Sequence, residues 1–308
     1  MSNFEDIYVE KYRPHTLADI ALQPQHREYF EQIKKNQSIP HLLLAGSPGI
    51  GKTSLGKIII NDLLNCQYLY INASDENGID TIRHKVIGFA QTKSFDGKLK
   101  VILLDEADAI TTSGQEALRN VMEEYVSNTR FILTCNYQHK LIEPLQSRCQ
   151  IFDITPPINS VVDRVVTILK SENINIPKEQ KPRLVEYIKL YYPDLRRIIN
   201  DIQKYSINGI LNISVDNVNT FAKRLLDKIV AKEKVNTLRK FIIDNEILFS
   251  ANYLNLSRHL FEEVFNATLD EKFKKDTLKI ISKSMYKDGF VVDKEINFFA
   301  ACILLLEC

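Results

Sequence analysis

One short segment limits what this chain can fold into more than any other. Residues 46–53 read Gly-Ser-Pro-Gly-Ile-Gly-Lys-Thr and match the pattern G-x-x-x-x-G-K-[ST] in full. An apolar run at 41–45 predicts a buried strand directly before the pattern, and helical spacing at 52–64 predicts a helix directly after it. A glycine-rich turn that matched the pattern by chance would need neither the strand before it nor the helix after it. The sequence therefore predicts a phosphate-binding loop inside an α/β domain.

The residues of this loop have separate expected roles in binding ATP. Glycines let the backbone curl, so that its N–H groups and the amino end of the following helix face the phosphates. Lys52 would reach the β and γ oxygens, and the Thr53 hydroxyl would bind Mg²⁺. The predicted nucleotide-binding set from this loop is Gly46, Ser47, Pro48, Gly49, Ile50, Gly51, Lys52, Thr53 and Ser54.

Two carboxylates follow a second buried strand, which is predicted from the apolar run at 101–104. Ligands of α/β domains bind at the carboxyl ends of such strands. We expect Asp105 to hold Mg²⁺ through water, and Glu106 to orient and deprotonate the attacking water. An Asp-Glu pair that only caps a helix is the alternative. Residues 105–108 also spell Asp-Glu-Ala-Asp, but the other helicase motifs are missing from the sequence, so we interpret that match as accidental.

The chain divides by its pattern of apolar residues. Up to residue 155, short apolar runs alternate with helical segments, which is typical of a parallel sheet with crossover helices. A Pro-Pro pair at 156–157 ends the alternation, and every later segment is predicted to be helical. The last apolar stretch, 298–306, is too short to span a bilayer and predicts a buried terminal helix. A second boundary is expected near 221–232.

Composition narrows the possible functions. The formal net charge is +1 over 308 residues, so any DNA-binding site must be a local patch. The sequence begins without an apolar signal segment. Its five cysteines are widely spaced and contain no Cys-x-x-Cys pair, which indicates neither a zinc site nor a disulfide framework. We expect a soluble protein of a reducing intracellular compartment.

Five further motifs appear in a fixed order along the chain. They are Val-Glu-Lys-Tyr-Arg-Pro at 9–14, Asn-Ala-Ser-Asp-Glu at 72–76 followed by Gly-Ile-Asp at 78–80, Thr-Cys-Asn at 134–136, Glu-Pro-Leu-Gln-Ser-Arg-Cys at 143–149 and Pro-Asp-Leu-Arg-Arg at 193–197. In this order they resemble the clamp-loader branch of the AAA+ ATPases. The resemblance is to the small subunits of replication factor C and to the ATPase subunit of tailed-phage clamp loaders, over nearly the whole length.

The resemblance implies three domains. These are an α/β AAA+ nucleotide-binding domain with a parallel sheet at 1–157, a small helical lid at 158–228 and an all-helical collar at 229–308 that holds subunits in a ring. The segment at 9–14 looks like the family's adenine pocket and implies Tyr12, Arg13 and Pro14 as cofactor-binding residues.

Three polar residues acquire catalytic roles from the resemblance. Asn136 is similar to the sensor of the γ-phosphate, although a turn residue that caps the next helix would look the same. Arg196 resembles the second sensor, which closes the lid over the nucleotide; a solvated helix arginine is the alternative. Arg148 resembles the arginine finger, which acts in trans on the ATP of a neighbouring subunit. A surface arginine that pairs with a carboxylate is the other reading of Arg148.

Two more residues resemble coupling residues of the family. Asn72 would hold Glu106 in an unproductive position until DNA arrives, and Gln115 would relay contact between neighbouring subunits. Helix capping and hydrogen bonds at strand ends explain both residues almost as well.

A basic stretch and an aromatic segment are candidates for macromolecular contacts. Between 81 and 100 the cations are Arg83, Lys85, Lys93, Lys98 and Lys100, against the single carboxylate of Asp96. We expect DNA phosphate contacts from Arg83 and Lys85, with Thr111, Ser113 and Arg119 added, although a solvated helix face would also carry lysines. The segment 89–95 resembles the one that loaders insert into the clamp, with Phe89 and Phe95 as anchors; Phe89 fits a core position equally well.

The predicted function is that of an ATPase subunit in a clamp loader, which opens a sliding clamp and loads it onto primer–template DNA. The implied partners are the other subunits of a five-membered ring, the clamp and the DNA, with ATP and Mg²⁺ as cofactors and no membrane. Three alternatives stay open: a branch-migration motor, which carries a winged-helix module at its carboxyl end, a non-catalytic subunit of the loader, and an initiator-type ATP-switched DNA-binding protein. The sequence leaves open whether the loader is of the phage type (bacterial cytoplasm) or the cellular type (nucleus, if eukaryotic).

Overall fold

The computed structural model describes residues 7–75, 78, 80, 82–92, 94, 97–213, 218–249 and 251–308. The chain forms two compact units, Met1–Ile213 and Ser214–Cys308. The sequence predicts three domains. The predicted boundary at 157 lies inside the first unit, and the one at 228 lies inside a helix, Val218–Val230, of the second. The division of the first unit into nucleotide-binding and lid domains remains a prediction.

A five-stranded parallel sheet forms the centre of the first unit. Its strands follow the order β2-β3-β4-β1-β5, and every neighbouring pair is parallel. The predicted α/β fold with a parallel sheet is therefore confirmed. In sequence order, the strands are Leu42–Ala45 (β1), Tyr68–Asn72 (β2), Lys100–Asp105 (β3), Thr129–Cys135 (β4) and Gln150–Asp153 (β5).

The central strands are apolar on both faces because helices cover both sides of the sheet. Leu42 and Leu44 point into one core with residues of the helix that follows the phosphate loop. Leu43 points into the other core, together with Leu118 and Met122 of the helix that follows Asp105. Alternate residues of one strand thus serve two cores, which explains why β1 reads as a continuous apolar run.

The helix predicted at 52–64 lies at that position in the structure. The helix after the phosphate loop is α-helical at first and continues as a π-helix, and the segment before β3 begins as a π-helix. Thr111 and Asp194 cap the helices that follow them through side-chain oxygens. In sequence order, the segments are Tyr8–Lys11 (α1), Pro24–Asn36 (α2), Lys52–Ile58 (α3) with the π-helix Ile59–Leu64, the π-helix Ile82–Val86 with Ile87–Gln91 (α4), Thr112–Glu124 (α5), Glu143–Gln146 (α6), Ile158–Ser171 (α7), Gln180–Tyr191 (α8) and Leu195–Tyr205 (α9), with short 3-10 turns at Ala107–Ala109 and Gln138–Lys140.

A small hairpin corrects the prediction that every segment after residue 157 is helical. Ser206–Ile207 (β6) pairs antiparallel with Ile210–Leu211 (β7). The two residues between them, Asn208 and Gly209, have φ angles of 55° and 73°. Positive φ at both central positions is typical of a primed hairpin turn, for which Asn-Gly is the favoured sequence. The signal was therefore in the sequence, although the flanking strands are too short to show a period of two.

The second unit is helical throughout its described residues. It contains α10 (Val218–Val230), α11 (Val235–Asp244), the 3-10 helix Glu246–Phe249, α12 (Tyr253–Asn266), α13 (Glu271–Asp288) and α14 (Lys294–Leu306). Phe298, Cys302 and Leu305 are buried in one core with residues of α10 and α12, which confirms the buried terminal helix predicted at 298–306. None of the helices in the described part of the chain has both the length and the hydrophobicity that crossing a bilayer requires.

Candidate functional site

The strand order brings three loops of the first unit together. Because β4 lies between β1 and β3, the loop after β4 must lie between the phosphate loop and the carboxylates that follow β3. Asn136 follows β4 directly. All strands are parallel, so these loops meet at one edge of the sheet, where α/β domains bind their ligands.

The phosphate loop adopts backbone conformations that only glycine adopts readily. Gly49 and Gly51 have φ angles of 78° and 99°, in the left-handed region. At Gly49 a side chain would also collide with Asp194, since an added Cβ would lie 2.7 Å from Asp194 Cγ. The backbone N–H of Arg196 donates to the Gly49 carbonyl over 3.2 Å. The loop is therefore in direct contact with the start of α9.

Lys52 places a buried positive charge at the centre of the site. Its side chain is 7% exposed. The ammonium group donates to the carbonyls of Gly46 and Ser47, each over 2.8 Å, and to Asn136 Oδ1 over 2.7 Å. These three partners are neutral, and burial lowers the pKa of Lys52. A buried ammonium group with neutral partners favours an anionic ligand beside it.

Asp105 accepts hydrogen bonds from three hydroxyl groups. Thr53 Oγ1 lies 2.8 and 2.9 Å from its two carboxylate oxygens, Thr134 Oγ1 lies 2.6 Å from Oδ1, and the Tyr70 hydroxyl lies 3.1 Å from Oδ2. Burial and the carboxylate of Asp105 together raise the pKa of Tyr70 to about 12, so the phenol stays protonated and donates. The carboxylate is thus held in one orientation beside the phosphate loop.

Glu106 has a strained backbone and an exposed side chain. Its φ angle is 55°, which is uncommon for a residue with a Cβ and is often found at functional sites. The backbone N–H donates to Thr134 Oγ1 over 3.0 Å. Its carboxylate accepts a hydrogen bond from the Ser74 hydroxyl. Asn72, which is predicted to hold Glu106, instead accepts the backbone N–H of Ser74 over 3.0 Å.

A cavity of about 310 Å³ opens beside these groups. Most of the predicted catalytic and nucleotide-binding residues line it. Gly46 and Ser47 are not among the lining residues, and their carbonyls accept hydrogen bonds from Lys52. The residues that line it and that the sequence predicts are Tyr12, Arg13, Pro14, Pro48, Gly49, Ile50, Gly51, Lys52, Thr53, Ser54, Asp105, Glu106, Asn136 and Arg196.

The cavity fits a nucleoside triphosphate with Mg²⁺. One end carries the buried cation, the curled glycine backbone and the amino end of α3, and all three suit phosphate groups. A carboxylate and a hydroxyl, Asp105 and Thr53, are the oxygen ligands that Mg²⁺ prefers. Val9, Tyr12, Arg13 and Pro14 also line the cavity, together with residues of α9.

Sequence reasoning missed several residues of the site. Arg164 on α7 lines the cavity and donates from Nη2 to the Tyr12 carbonyl over 2.9 Å. Asp108 accepts the backbone N–H groups of Asn136 and Tyr137, over 3.3 and 3.1 Å, and so fixes the loop that carries Asn136. No local pattern marks Arg164. Asp108 belongs to the Asp-Glu-Ala-Asp string at 105–108, so the sequence does contain a signal for it.

Arg148 is not among the residues that line the cavity. Its guanidinium group pairs with the carboxylate of Glu123 on α5, and Nη1 donates to the Pro144 carbonyl over 2.6 Å. Both partners lie in this chain. The alternative of an ion-paired surface arginine therefore describes Arg148 in the isolated subunit.

Gln115 is buried and its side chain forms hydrogen bonds with three backbone groups. Its amide donates to the carbonyls of Ile110 and Lys140, over 3.0 and 3.1 Å, and its oxygen accepts the N–H of Ile142 over 2.8 Å. The residue thus ties the start of α5 to the segment that leads into α6 and Arg148. Its predicted coupling role remains a prediction.

The predicted DNA and clamp contacts are only partly described. The side chain of Arg83 and the whole of Phe95 lie outside the described residues. Lys85 and Ser113 are exposed. The π-helix Ile82–Val86, which carries Lys85, packs against α5. Arg119 is half-buried and donates to Asn120 Oδ1, and Phe89 is half-buried against the core beside α5.

Comparisons with known proteins place this geometry in a family. The family model "ATPase family associated with various cellular activities (AAA)" matches residues 42–156. The chain is 43% identical over 216 residues to the replication factor C small subunit of Sulfolobus acidocaldarius, and this match covers 68% of this chain and 65% of that protein. It is 34% identical over 303 residues to the replication factor C small subunit of Staphylothermus marinus, which covers 96% of this chain and 86% of that protein. The chain belongs to the family of replication factor C small subunits.

The resemblance read from the sequence is thereby confirmed, and the first unit carries a AAA ATPase domain, which binds nucleotide. The match with the Sulfolobus small subunit spans just under two thirds of that relative, whereas the match with the Staphylothermus small subunit runs through most of both chains.

Solved structures agree on the fold. The Thermotoga maritima RuvB Holliday junction branch migration motor superposes with a TM-score of 0.52 at 19% identity, over 74% of this chain and 84% of that chain. A second structure of that protein gives a TM-score of 0.54 at 16% identity, over 77% and 88%. At this level of identity the likeness concerns the fold alone.

Proposed function

We propose that this chain is an ATPase subunit of a clamp loader, which opens a sliding clamp and loads it onto primer–template DNA during replication. The observation that carries the proposal is the convergence of Lys52, Asp105, Glu106 and Asn136 on one cavity, in a chain that belongs to the replication factor C small subunits. A non-catalytic subunit would need none of these four side chains in the cavity. The names of the relatives support a subunit role in a larger assembly.

The phosphate end of the cavity would hold Mg-ATP. Lys52 would exchange carbonyl partners for phosphate oxygens, because it is already buried at that position. Thr53 and Asp105 would hold Mg²⁺, with Asp105 acting through water. When bound, the ion neutralises phosphate charge. Asn136 would sense the γ-phosphate, since its amide oxygen already contacts Lys52 over 2.7 Å.

Glu106 would orient the attacking water and take its proton. Its carboxylate accepts a hydrogen bond from Ser74 in this structure, which reduces its strength as a base. Release from Ser74 would therefore be needed for rapid hydrolysis. Asn72 would act one step further away, because it fixes the backbone of Ser74.

Arg148 would act in trans on the ATP of the next subunit. The salt bridge with Glu123 is partly exposed, with side-chain exposures of 31% and 51%. Exposed pairs of this kind are worth only about 0–1 kcal/mol, so a neighbouring triphosphate competes for Arg148 easily. A finger in trans makes hydrolysis depend on the assembly. Gln115 would transmit the arrangement of the neighbours, because it joins α5 to the segment before Arg148.

The remaining predicted contacts complete the proposal. Residues 158–228 would act as the lid, with Arg196 closing over the nucleotide, and residues 229–308 as the collar of a five-subunit ring. Lys85, Ser113 and Arg119 would meet DNA phosphates from two helical segments that pack together, with Arg83 added. Phe89 and Phe95 would meet the clamp.

A branch-migration motor is the main alternative. The RuvB structures share the fold at below 20% identity, and that likeness does not distinguish the two functions. The described residues from 218 to 308 form helices and contain no strand, whereas a winged-helix module requires strands. The helical second unit therefore favours the loader.

The variant Glu106→Gln tests the catalytic assignment. We expect it to bind ATP as tightly as the wild type, because Lys52 and the phosphate loop are unchanged, and to lose at least about a hundredfold in turnover. Glu186→Gln, an exposed carboxylate on α8, is the matched control and should leave both unchanged. Unchanged turnover in Glu106→Gln would remove Glu106 as the base.

A further inference from the structure

The helix at the start of the described chain is too small to hold its own position. α1 comprises four residues, and none of them is buried. A single turn of helix is unstable in water without tertiary support. Its place in the fold must therefore come from contacts with other elements.

Two polar contacts of residues 11 and 12 meet at one carboxylate. Glu172 follows α7 as its C-cap residue. Its Oε1 accepts the Tyr12 hydroxyl over 2.5 Å and pairs with Lys11 Nζ at 2.6 Å. The Glu172 side chain is 16% exposed, so both contacts are sheltered from water on its side. A carboxylate that binds both an ammonium group and a hydroxyl group is held more firmly than one in an isolated ion pair at the surface.

Two further hydrogen bonds attach the same segment to the helices after residue 157. The Tyr8 N–H donates to Gln203 Oε1 over 3.0 Å, and Arg164 donates to the Tyr12 carbonyl over 2.9 Å. α1 also packs against α9. Residues 8–12 are thus fixed to α7 and α9, which lie outside the sheet that carries the phosphate loop.

The attached segment is also a wall of the nucleotide cavity. Val9, Tyr12, Arg13 and Pro14 line it, together with Arg164. The groups that suit phosphates are Lys52 and the phosphate loop, which belong to other elements of the chain. Residues 12–14 are therefore expected to meet the nucleoside part of the ligand.

We propose that Glu172 is a positioning residue for nucleotide binding, which fixes Lys11 and Tyr12 and thereby holds the wall at residues 12–14 against the base and sugar of ATP. The proposal rests on the cavity being the ATP site and is independent of clamp loading. Glu172 itself does not line the cavity and acts through Tyr12.

A comparison of two ligands separates this role from a general structural one. ATP contacts the whole cavity, whereas inorganic tripolyphosphate contacts only the phosphate end. We expect Glu172→Ala to raise the dissociation constant for ATP by about tenfold, in proportion to the loss of one charge-assisted hydrogen bond, and to leave that for tripolyphosphate unchanged. Isothermal titration calorimetry on the whole chain measures both.

A double-mutant cycle tests the path through Tyr12. Tyr12→Phe keeps the ring in the cavity and removes only the hydroxyl, so it should weaken ATP binding less than Glu172→Ala does. Adding Tyr12→Phe to Glu172→Ala should weaken it no further. Glu172→Gln keeps an acceptor for Tyr12 and should restore part of the affinity. Glu186→Ala is the matched control for loss of a carboxylate.

Three results would overturn the proposal. They are an unchanged ATP dissociation constant in Glu172→Ala, equal weakening of ATP and tripolyphosphate binding, and independent effects of the two substitutions. Should Glu172→Ala unfold, which its melting curve would reveal, the cycle is run with Glu172→Gln and the same criteria. Absence of ATP binding by the wild type would instead refute the nucleotide site itself.

Discussion

Replacement of Gly49 by alanine tests whether the phosphate loop packs so closely against the start of α9 that an added methyl group must displace Asp194. The backbone of Gly49 has a φ angle of 78°, and an added Cβ would overlap Asp194 Oδ1 and lie 2.7 Å from its Cγ. The same Oδ1 caps α9 by accepting the N–H of Arg197 over 3.0 Å. The methyl group must therefore displace the helix cap.

The expected cost has two parts. The left-handed backbone costs alanine about 1–2 kcal/mol relative to glycine. Displacement of Asp194 removes an N-cap, which is worth about 1 kcal/mol. The free energy of unfolding of Gly49→Ala should thus fall by about 2–3 kcal/mol, as measured by urea denaturation followed by circular dichroism.

Two further variants isolate each part. Gly209 has a similar φ angle of 73° and no heavy atom within 4 Å of an added Cβ, so Gly209→Ala should cost only the backbone part. In an Asp194→Ala background the cap is already absent, and Gly49→Ala should then cost no more than Gly209→Ala does. An equal cost of Gly49→Ala in both backgrounds would refute the reasoning, as would a cost equal to that of Gly209→Ala in the wild type.

The remaining predictions concern two buried basic residues. Burial lowers the pKa of His41 from 6.5 to about 4. Between these pH values the imidazole is protonated in the unfolded chain and neutral in the folded chain, so the free energy of unfolding should fall by about 3 kcal/mol as pH drops from 6.5 to 4. His41→Asn keeps an acceptor for the Phe131 N–H and should flatten this dependence in urea titrations at several pH values; an unchanged slope would contradict it. Lys100 is 1% exposed, donates to the Phe89 carbonyl at the end of α4 and lies 4.3 Å above the Phe89 ring. Lys100→Met removes two hydrogen bonds, one to the Phe89 carbonyl and one to Thr92 Oγ1, and should lower stability by about 1–3 kcal/mol, whereas Lys98→Met at an exposed position should not; equal stability of the two variants would contradict it.

Local patterns were sufficient to predict the centre of the site. The phosphate loop and the carboxylates at 105–106 each follow an apolar run, and parallel strands bring their carboxyl ends to one edge. Strand order then puts Asn136 between them. The phosphate loop and the two carboxylates could therefore be predicted from the sequence to be neighbours in space.

The contacts that tune the site could not be predicted in this way. The Glu106 carboxylate accepts a hydrogen bond from the Ser74 hydroxyl, and Asn72 Oδ1 accepts the backbone N–H of Ser74. Arg164 donates to the Tyr12 carbonyl across 152 positions, and the Tyr12 hydroxyl donates to Glu172 across 160 positions. No periodicity in the sequence indicates which helix end lies beside which loop. Such pairings depend on tertiary packing.

Steady-state ATP hydrolysis tests the central claim most directly. The chain, assembled with the other subunits of its complex, is assayed alone, with the sliding clamp, with primer–template DNA and with both. The account predicts strong stimulation only when clamp and primed DNA are present together, and loss of that stimulation in Glu106→Gln. Turnover that ignores the clamp and responds to duplex or branched DNA alone would contradict clamp loading and favour a branch-migration motor.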